Sequence, residues 1–301
     1  MIFEGSVFIF LSSADGTAQV SELYFLTISG DRIMGRYDQN SKVYDKWLKE
    51  GRGQGRGRDY EPWLMVYNVP SHGRSHRVYS HTSERVVHCL SDLELSVFLQ
   101  LEWSKSVSDI REQFPLSLDS TLEIAERIGA KHPAIRGEKM MLTTDFLATV
   151  SDPASPLLAI QVKPSSELGK PRVREIIALE QAFWQESKVH FQVLTECSLD
   201  KIKIENIKWL HPLMTNDAVT DAQLELAGFW KSILKRNSDG NLVRVASQID
   251  KQRERQVGTA LSELRQLFAI RMATFDMCSP FYENRARDVT FKNDLNAAKQ
   301  R

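Results

Sequence analysis

Met141-Leu-Thr-Thr-Asp145-Phe-Leu-Ala-Thr-Val150 and Leu157-Leu-Ala-Ile-Gln161-Val162-Lys163 are two short runs of β type. The first sets one carboxylate inside an apolar stretch, and the second sets an amide and an ammonium two residues apart at a strand end. Strand side chains alternate between faces, so Gln161 and Lys163 point the same way while Val162 packs behind them. If the two runs are neighbouring strands, Asp145, Gln161 and Lys163 converge. Oxygens that can hold a hard cation would then lie beside a lysine able to orient a water for attack on phosphorus.

Phosphodiester hydrolysis needs an aligned water, charge relief on the phosphorus oxygens and a stabilised leaving oxygen, and one or two Mg²⁺ ions supply most of this. Magnesium takes near-octahedral oxygen ligands, usually one or two carboxylates with waters and substrate phosphate. Asp145 is the first ligand candidate, Glu94 the second and Glu180 the third, and the Val162 carbonyl is a backbone candidate. The pattern is short. A structural Asp145–Lys163 ion pair and a solvated Glu94 would read the same way. Gln161 also stands where the PD-(D/E)XK pattern usually has an acid, so an amide carbonyl has to replace a carboxylate.

The chain has 301 residues, 42% hydrophobic and 26% charged, enough for a full core and about two domains. Lys+Arg and Asp+Glu both number 39, so the global charge selects no partner. Between Lys46 and His88, however, eight basic residues face four acidic ones. Cys89, Cys197 and Cys278 form no CxxC and no disulfide framework, which fits a reducing cytoplasm. No run reaches the roughly 20 apolar residues of a membrane span, and Val7–Leu11 follows Glu4 rather than a basic segment, unlike a signal peptide.

Residues 1–33 are apolar and short-stranded, with no basic residue before Arg32, and Met34 is the expected natural start; a small extra hairpin is the alternative. Residues 34–59 read as a polar, helix-compatible segment followed by a linker, Gly51-Arg-Gly-Gln-Gly-Arg-Gly-Arg58. Its glycines deny it a packed conformation, and Arg52 and Arg56 can reach phosphates or simply stay solvated. Residues 60–198 read as a mixed domain of α/β or α+β type. It runs through a hairpin within 63–88, a helix over 91–103, strands near 109–114, 141–150 and 157–163, a helix over 172–185 and a strand over 190–195. Leu93, Val97 and Leu101 stripe the helix at 91–103, with Glu94 beside them. Residues 199–292 turn helical: 201–210, 221–235, 242–256 and 259–268, then a strand at 270–277. Gln256-Val257-Gly258 is a turn of helix-turn-helix length. A tail follows from Asn293.

Several ordered stretches give the chain a resemblance. They include Lys49-Glu-Gly-Arg-Gly-Gln-Gly55, Val69-Pro-Ser-His-Gly-Arg-Ser-His-Arg77, Leu90-Ser-Asp-Leu-Glu94, Asp109-Ile-Arg-Glu-Gln-Phe-Pro115, Thr144-Asp145-Phe-Leu and Ile160-Gln-Val-Lys-Pro164. From about Lys49 to Glu196, and more loosely beyond, the chain resembles the TnsA family of transposon end-cleaving endonucleases. That family carries glutamine before its active-site lysine, so Gln161 is expected there. The resemblance implies that Glu94, Asp145, Gln161 and Lys163 are the catalytic and metal-site residues, with Glu180 at a further acidic position. It implies a restriction-endonuclease-like, PD-(D/E)XK domain, a mostly helical winged-helix-like C-terminal domain, and Mg²⁺ with Mn²⁺ as a substitute. It further implies nicking of double-stranded DNA at the 5′ ends of a transposon. A DDE-type transposase (TnsB-like) would cut the 3′ ends, and an AAA+ ATPase (TnsC-like) would engage the C-terminal part. A stand-alone restriction or repair nuclease of the same fold and a non-catalytic architectural subunit are the competing readings.

Arg74, His76 and Arg77 are expected to contact the phosphate backbone without reading bases. The spacings of His72, His76, His81 and His88 with Cys89 match no zinc site. Trp63 and Trp103 read as core aromatics. Arg111 and Glu112 read as strand-end pairing or site lining, and Gln113 as a hydrogen-bonding neighbour of the metal that stays off the catalytic list. The basic residues between Lys231 and Gln256 read as a solvated helix face or a docking surface.

Overall fold

A four-stranded sheet gives the first half of the chain its frame. The computed structural model describes residues 40–68, 74–135 and 137–292. The expectations for 1–33, for Met34, for His72 and for the tail from Asn293 lie outside them. In chain order the elements begin with α1 (Asn40–Lys49), the hairpin β1 (His76–Ser80) and β2 (Arg85–Cys89), α2 (Asp92–Trp103) and β3 (Val107–Pro115). Next come α3 (Leu118–Ile128), the small pair β4 (Ala134–Ile135) and β5 (Glu138–Lys139), β6 (Thr143–Val150), β7 (Leu157–Val162), α4 (Pro171–Glu186) and β8 (His190–Leu194). The sheet order is β3-β6-β7-β8, antiparallel except for the parallel β7–β8 pair that α4 connects.

The apolar stretches noted above supply this sheet's core. Ile110, Phe146, Ala148, Ile160 and Val162 pack with Val97, Phe98 and Leu101 of α2. Ser91 caps α2 by accepting the Glu94 N–H, which fixes where the helix begins. α3 is an additional element to those expected, with Thr121, Ile124 and Ala125 buried along one face. Ser117 accepts the Ser120 N–H at its start and Gly129, at φ +68°, ends it.

The glycine–arginine segment is not a free linker. Gly53 (φ +75°) lies so close to Pro115 that a Cβ there would meet Pro115 Cγ at 2.2 Å, and a Cβ on Gly55 would meet the Asp59 carbonyl oxygen at 2.3 Å. These glycines permit close packing, not a tether. The Gly53 N–H donates to the Glu61 carbonyl and the Gly57 N–H to Asp109. Arg85 joins the segment to the sheet through the Gly57 carbonyl (3.1 Å) and the buried Glu112 carboxylate (2.9 Å). α1 docks alongside: Trp47 meets Trp63 edge-on at 5.3 Å, with Tyr44 at 5.6 Å from Trp63. α1 and the glycine–arginine segment thus pack on the same body as the sheet.

The second half contains α5 (Lys201–Leu210), α6 (Asp221–Arg236), α7 (Leu242–Gln252), α8 (Thr259–Ala269) and the two-residue strands β9 (Ala273–Thr274) and β10 (Thr290–Phe291), paired antiparallel. The strand expected over 270–277 shrinks to β9, because Arg271 adopts a left-handed backbone (φ +58°) just before it. α7 ends four residues earlier than its periodicity suggested, where Asp250 accepts the N–H groups of Gly258 and Ala260 and so caps α8. Of α8, only Ser262 and Gln266 are exposed. Ile204 and Ile207 of α5 lie in the first core and Leu210 in the second, and Trp103 and Met277 pack against both. One helix thus stitches the two cores together.

Beside that joint, the buried His211 packs against His81 (5.1 Å between ring centroids) and Phe98. Its Nε2 has no hydrogen-bond partner among the described residues. Burial, then His81, pulls its pKa from 6.5 down to about 4. The unfolded chain takes up a proton near 6.5 that the folded chain refuses until about 4, so stability falls as pH drops through that window. Thermal melts should show Tm declining between pH 6.5 and 4, and His211→Gln should remove part of the decline. An unchanged pH profile in that variant would refute the account.

Candidate active site

β6 and β7 pair from Thr149↔Leu157 to Phe146↔Ile160 and then part. Side chains seal the fork. The Val162 N–H donates to Asp145 Oδ2 at 2.7 Å, and the Asp145 N–H donates to Gln161 Oε1 at 3.1 Å. Lys163 Nζ donates to the Val162 carbonyl at 3.1 Å and lies 3.7 Å from Asp145 Oδ2. The alternation of the QVK run therefore does what its spacing suggested: Gln161 and Lys163 both reach Asp145 while Val162 packs in the core.

Glu94 arrives from the first turn of α2, accepting the Leu90 N–H (2.8 Å) and the Ser91 hydroxyl (3.0 Å). It is 8% exposed, against the reading of a solvated helix face. Gln113 connects the two acids: its Nε2 is 3.2 Å from Asp145 Oδ1 and 3.5 Å from Glu94 Oε2. Glu180, 1% exposed on α4, accepts the Thr144 hydroxyl at 3.3 Å, and the Trp184 indole donates to the same hydroxyl at 2.8 Å.

Electrostatics follow from crowding acids in a buried place. Burial, then Asp145, pushes the Glu94 carboxyl up to about 7. Burial, then Asp145, holds the Glu180 carboxyl well above the usual carboxylate range. Burial lowers the Lys163 pKa, but Asp145, Glu180 and Glu94 outweigh it, and the net shift is upward. The amine is thus held charged here, not depressed. Among the described residues no group of three His, Cys, Asp or Glu side chains is poised to hold a metal by themselves. The two acids are bridged instead by the Gln113 amide nitrogen, with the Gln161 amide oxygen and the Val162 carbonyl beside Asp145 and Lys163.

The expected phosphate contacts fare differently. Arg52 corrects the expectation: at 8% exposure it donates to the Trp63 carbonyl (3.2 Å) and Asn68 (2.9 Å), and its guanidinium stacks on Trp47. Its charge is spent inside the fold. Arg56 and Arg77 are exposed. Arg74 (3.1 Å) and His76 (2.7 Å) grip Asp92, two residues from Glu94, which draws the Asp92 pKa down through His76 first and then Arg74. Arg52→Ala should therefore destabilise the protein by ~2 kcal/mol through lost charged hydrogen bonds, whereas Arg56→Ala, at an exposed position, should leave the denaturation midpoint unchanged. Equal midpoints for the two variants would contradict this placement. Arg111 and Glu112 pair with Asp109 (3.2 Å) and Arg85, away from the fork.

Gln113, which the sequence offers as a hydrogen-bonding neighbour of the metal, lies between Asp145 and Glu94. Its backbone sits at φ +48° inside β3, a left-handed conformation that costs a non-glycine residue ~1–2 kcal/mol. No local signal in Glu112-Gln-Phe114 announces it.

Buried acids, amide oxygens and a charged lysine gathered where two strands of a mixed sheet part make an arrangement suited to cutting phosphodiester bonds, and thus to a nuclease. Comparison with known proteins is specific. Residues 104–196 match the family described as TnsA-like endonuclease N terminal, and residues 199–277 match TnsA endonuclease C terminal. Over 249 residues, 83% of this chain and 91% of the relative, the chain is 42% identical to the Transposon Tn7 transposition protein TnsA of Escherichia coli. The chain belongs to the TnsA family of transposon endonucleases. No described helix is long and apolar enough to cross a membrane.

Proposed function

We propose that this protein is the Mg²⁺-dependent endonuclease subunit of a cut-and-paste transposase, nicking the 5′ ends of its element. In this reading a DDE-type, TnsB-like transposase cuts the 3′ ends and an AAA+, TnsC-like ATPase docks on the C-terminal half. The observation that carries it is the Asp145 carboxylate, bonded to the Val162 N–H at 2.7 Å, 3.7 Å from the Lys163 amine and linked through Gln113 to Glu94. An acid on β6 and QVK at the end of β7 support the PD-(D/E)XK reading, with glutamine in the acidic position. The order α6-α7-α8-β9-β10 supports a winged-helix-like reading of the second half. Its α8 is packed inward, which favours a role in protein contact over base reading.

The donor set fits a hard cation. Asp145 and Glu94 are buried acids whose repulsion a divalent ion would relieve, and carbonyl oxygen is available at Val162 and Gln161. Mn²⁺ would substitute. When bound, the ion supplies Lewis-acid charge relief at phosphorus and at the attacking water. Glu180 is the least suited ligand, because burial and then Asp145 hold its carboxyl well above the usual carboxylate range, and its Oε2 is engaged by the Thr144 hydroxyl. Lys163 holds its proton and orients the water while balancing charge on the phosphoryl oxygens. Gln161 fastens the Asp145 backbone. Arg56, Arg74, His76 and Arg77 neutralise phosphates without reading sequence, so end recognition falls to the partner.

A transposon-end duplex labelled on each strand tests the proposal, incubated with Mg²⁺, the purified protein and its two partners. A nick confined to the 5′ end and dependent on partners is expected. Vigorous cutting of arbitrary DNA by the protein alone would point to a free-standing nuclease. An assembled but uncut complex would point to an architectural subunit.

A further inference from the structure

At the middle of β3 the ladder passes from the Glu112↔Phe146 pair to the Phe114↔Thr144 pair, leaving Gln113 opposite Asp145. The left-handed backbone of Gln113 turns its carbonyl to the Trp63 N–H (3.3 Å), so the residue leaves the regular ladder and is held in that shape from outside. Its side chain is 2% exposed. The amide's two ends are told apart by their neighbours. The oxygen accepts the Thr143 hydroxyl at 2.9 Å, while the nitrogen faces Asp145 at 3.2 Å and Glu94 at 3.5 Å. A strained, buried amide thus places its donor end between the two acids proposed to grip a cation.

We infer that Gln113 is a further residue of the cation site, bridging Glu94 and Asp145 through its amide nitrogen when the site is empty and turning its amide over to offer Oε1 when a divalent cation enters. The inference rests on the metal-dependent reading above. An NH₂ group, positive at its hydrogens, can bridge two carboxylates but is repelled by a cation between them. Rotation by half a turn about the last side-chain bond exchanges donor for acceptor without moving the chain. Thr143 permits either orientation, because a hydroxyl that donates to Oε1 can equally accept from Nε2. The acids are thereby kept at a spacing ready for the ion, instead of springing apart by like-charge repulsion.

The test is Mn²⁺ binding to the full-length protein by titration calorimetry, without DNA. Wild type should bind, and Asp145→Asn should lose that binding. Absence of binding in wild type would overturn the metal reading and this inference with it. Given binding, Gln113→Met, which keeps the volume and removes the amide, should weaken Mn²⁺ affinity about tenfold, whereas Gln113→Glu, which keeps an oxygen there, should bind at least as tightly as wild type. A purely structural bridge predicts unchanged or tighter binding in Gln113→Met, since the amide would then only compete with the cation for the two acids, whereas the added carboxylate of Gln113→Glu favours a cation on either account. Wild-type affinity in Gln113→Met, or weaker affinity in Gln113→Glu than in Gln113→Met, would overturn the inference while leaving the metal reading intact. If neither Gln113 variant folds, the Thr143 pair decides: Thr143→Val should bind about threefold more weakly and Thr143→Ser as wild type, and equal affinities would overturn it.

Discussion

Asp145→Ala is expected to abolish the proposed 5′-end cutting, by ~10³-fold or more, while leaving the protein folded and able to assemble with the proposed partners. The size follows from losing a proposed metal ligand together with the anchor that sets Lys163, an effect of several kcal/mol at about 1.4 kcal/mol per tenfold. The effect on stability is opposed by two terms. Losing the carboxylate leaves the Val162 N–H without its 2.7 Å acceptor, a cost of ~1–3 kcal/mol. The same change relieves Glu94 and Glu180, each of which has Asp145 as the leading charge that lifts its pKa. The two terms act in opposite directions, as at sites where stability is given up for function. Strand-specific cleavage gels and thermal melts on one preparation check both halves. Persistent cutting would remove Asp145 from the site; complete unfolding would show that the fork depends on it structurally.

How much of this was legible in the sequence depends on how local the signal was. The QVK run and the acid in its apolar stretch were readable because strand alternation alone decides which side chains meet. The stripe of α2 and the span of α5 were readable because helical periodicity is an equally local signal. Arg52 was not. Between glycines it looks solvated, and only contacts with Trp63 and Asn68 more than ten residues away turn it inward. The glycines misled in the same way, since Gly53 is demanded by Pro115, which joins it only after folding. α3 carried a readable signal in its Ser117 and Gly129 caps. Gln113 marks the limit: its backbone is fixed by packing from Trp63, and no propensity in the neighbouring residues encodes it.

Lys163→Ala should separate grip from cutting. The amine stands 3.7 Å from Asp145 and feels Glu180 and Glu94 as well, all of which raise its pKa and keep it charged. It therefore already neutralises part of the acidic cluster. Removing it leaves those acids with more uncompensated negative charge, so affinity for a divalent cation should hold or tighten. Cleavage should nevertheless fall ~10²–10³-fold, because the positive group that orients the water and shields the developing charge on phosphorus is gone. Lys163→Arg would keep the charge but not the compact, rotatable donor, and should recover only part of the rate. Calcium binds such oxygen sites, so calcium titration reads the grip while magnesium turnover reads the cut. A variant that lost calcium affinity and turnover in parallel would make Lys163 a structural prop for Asp145. Retained affinity with lost turnover would place it beside the reacting phosphate.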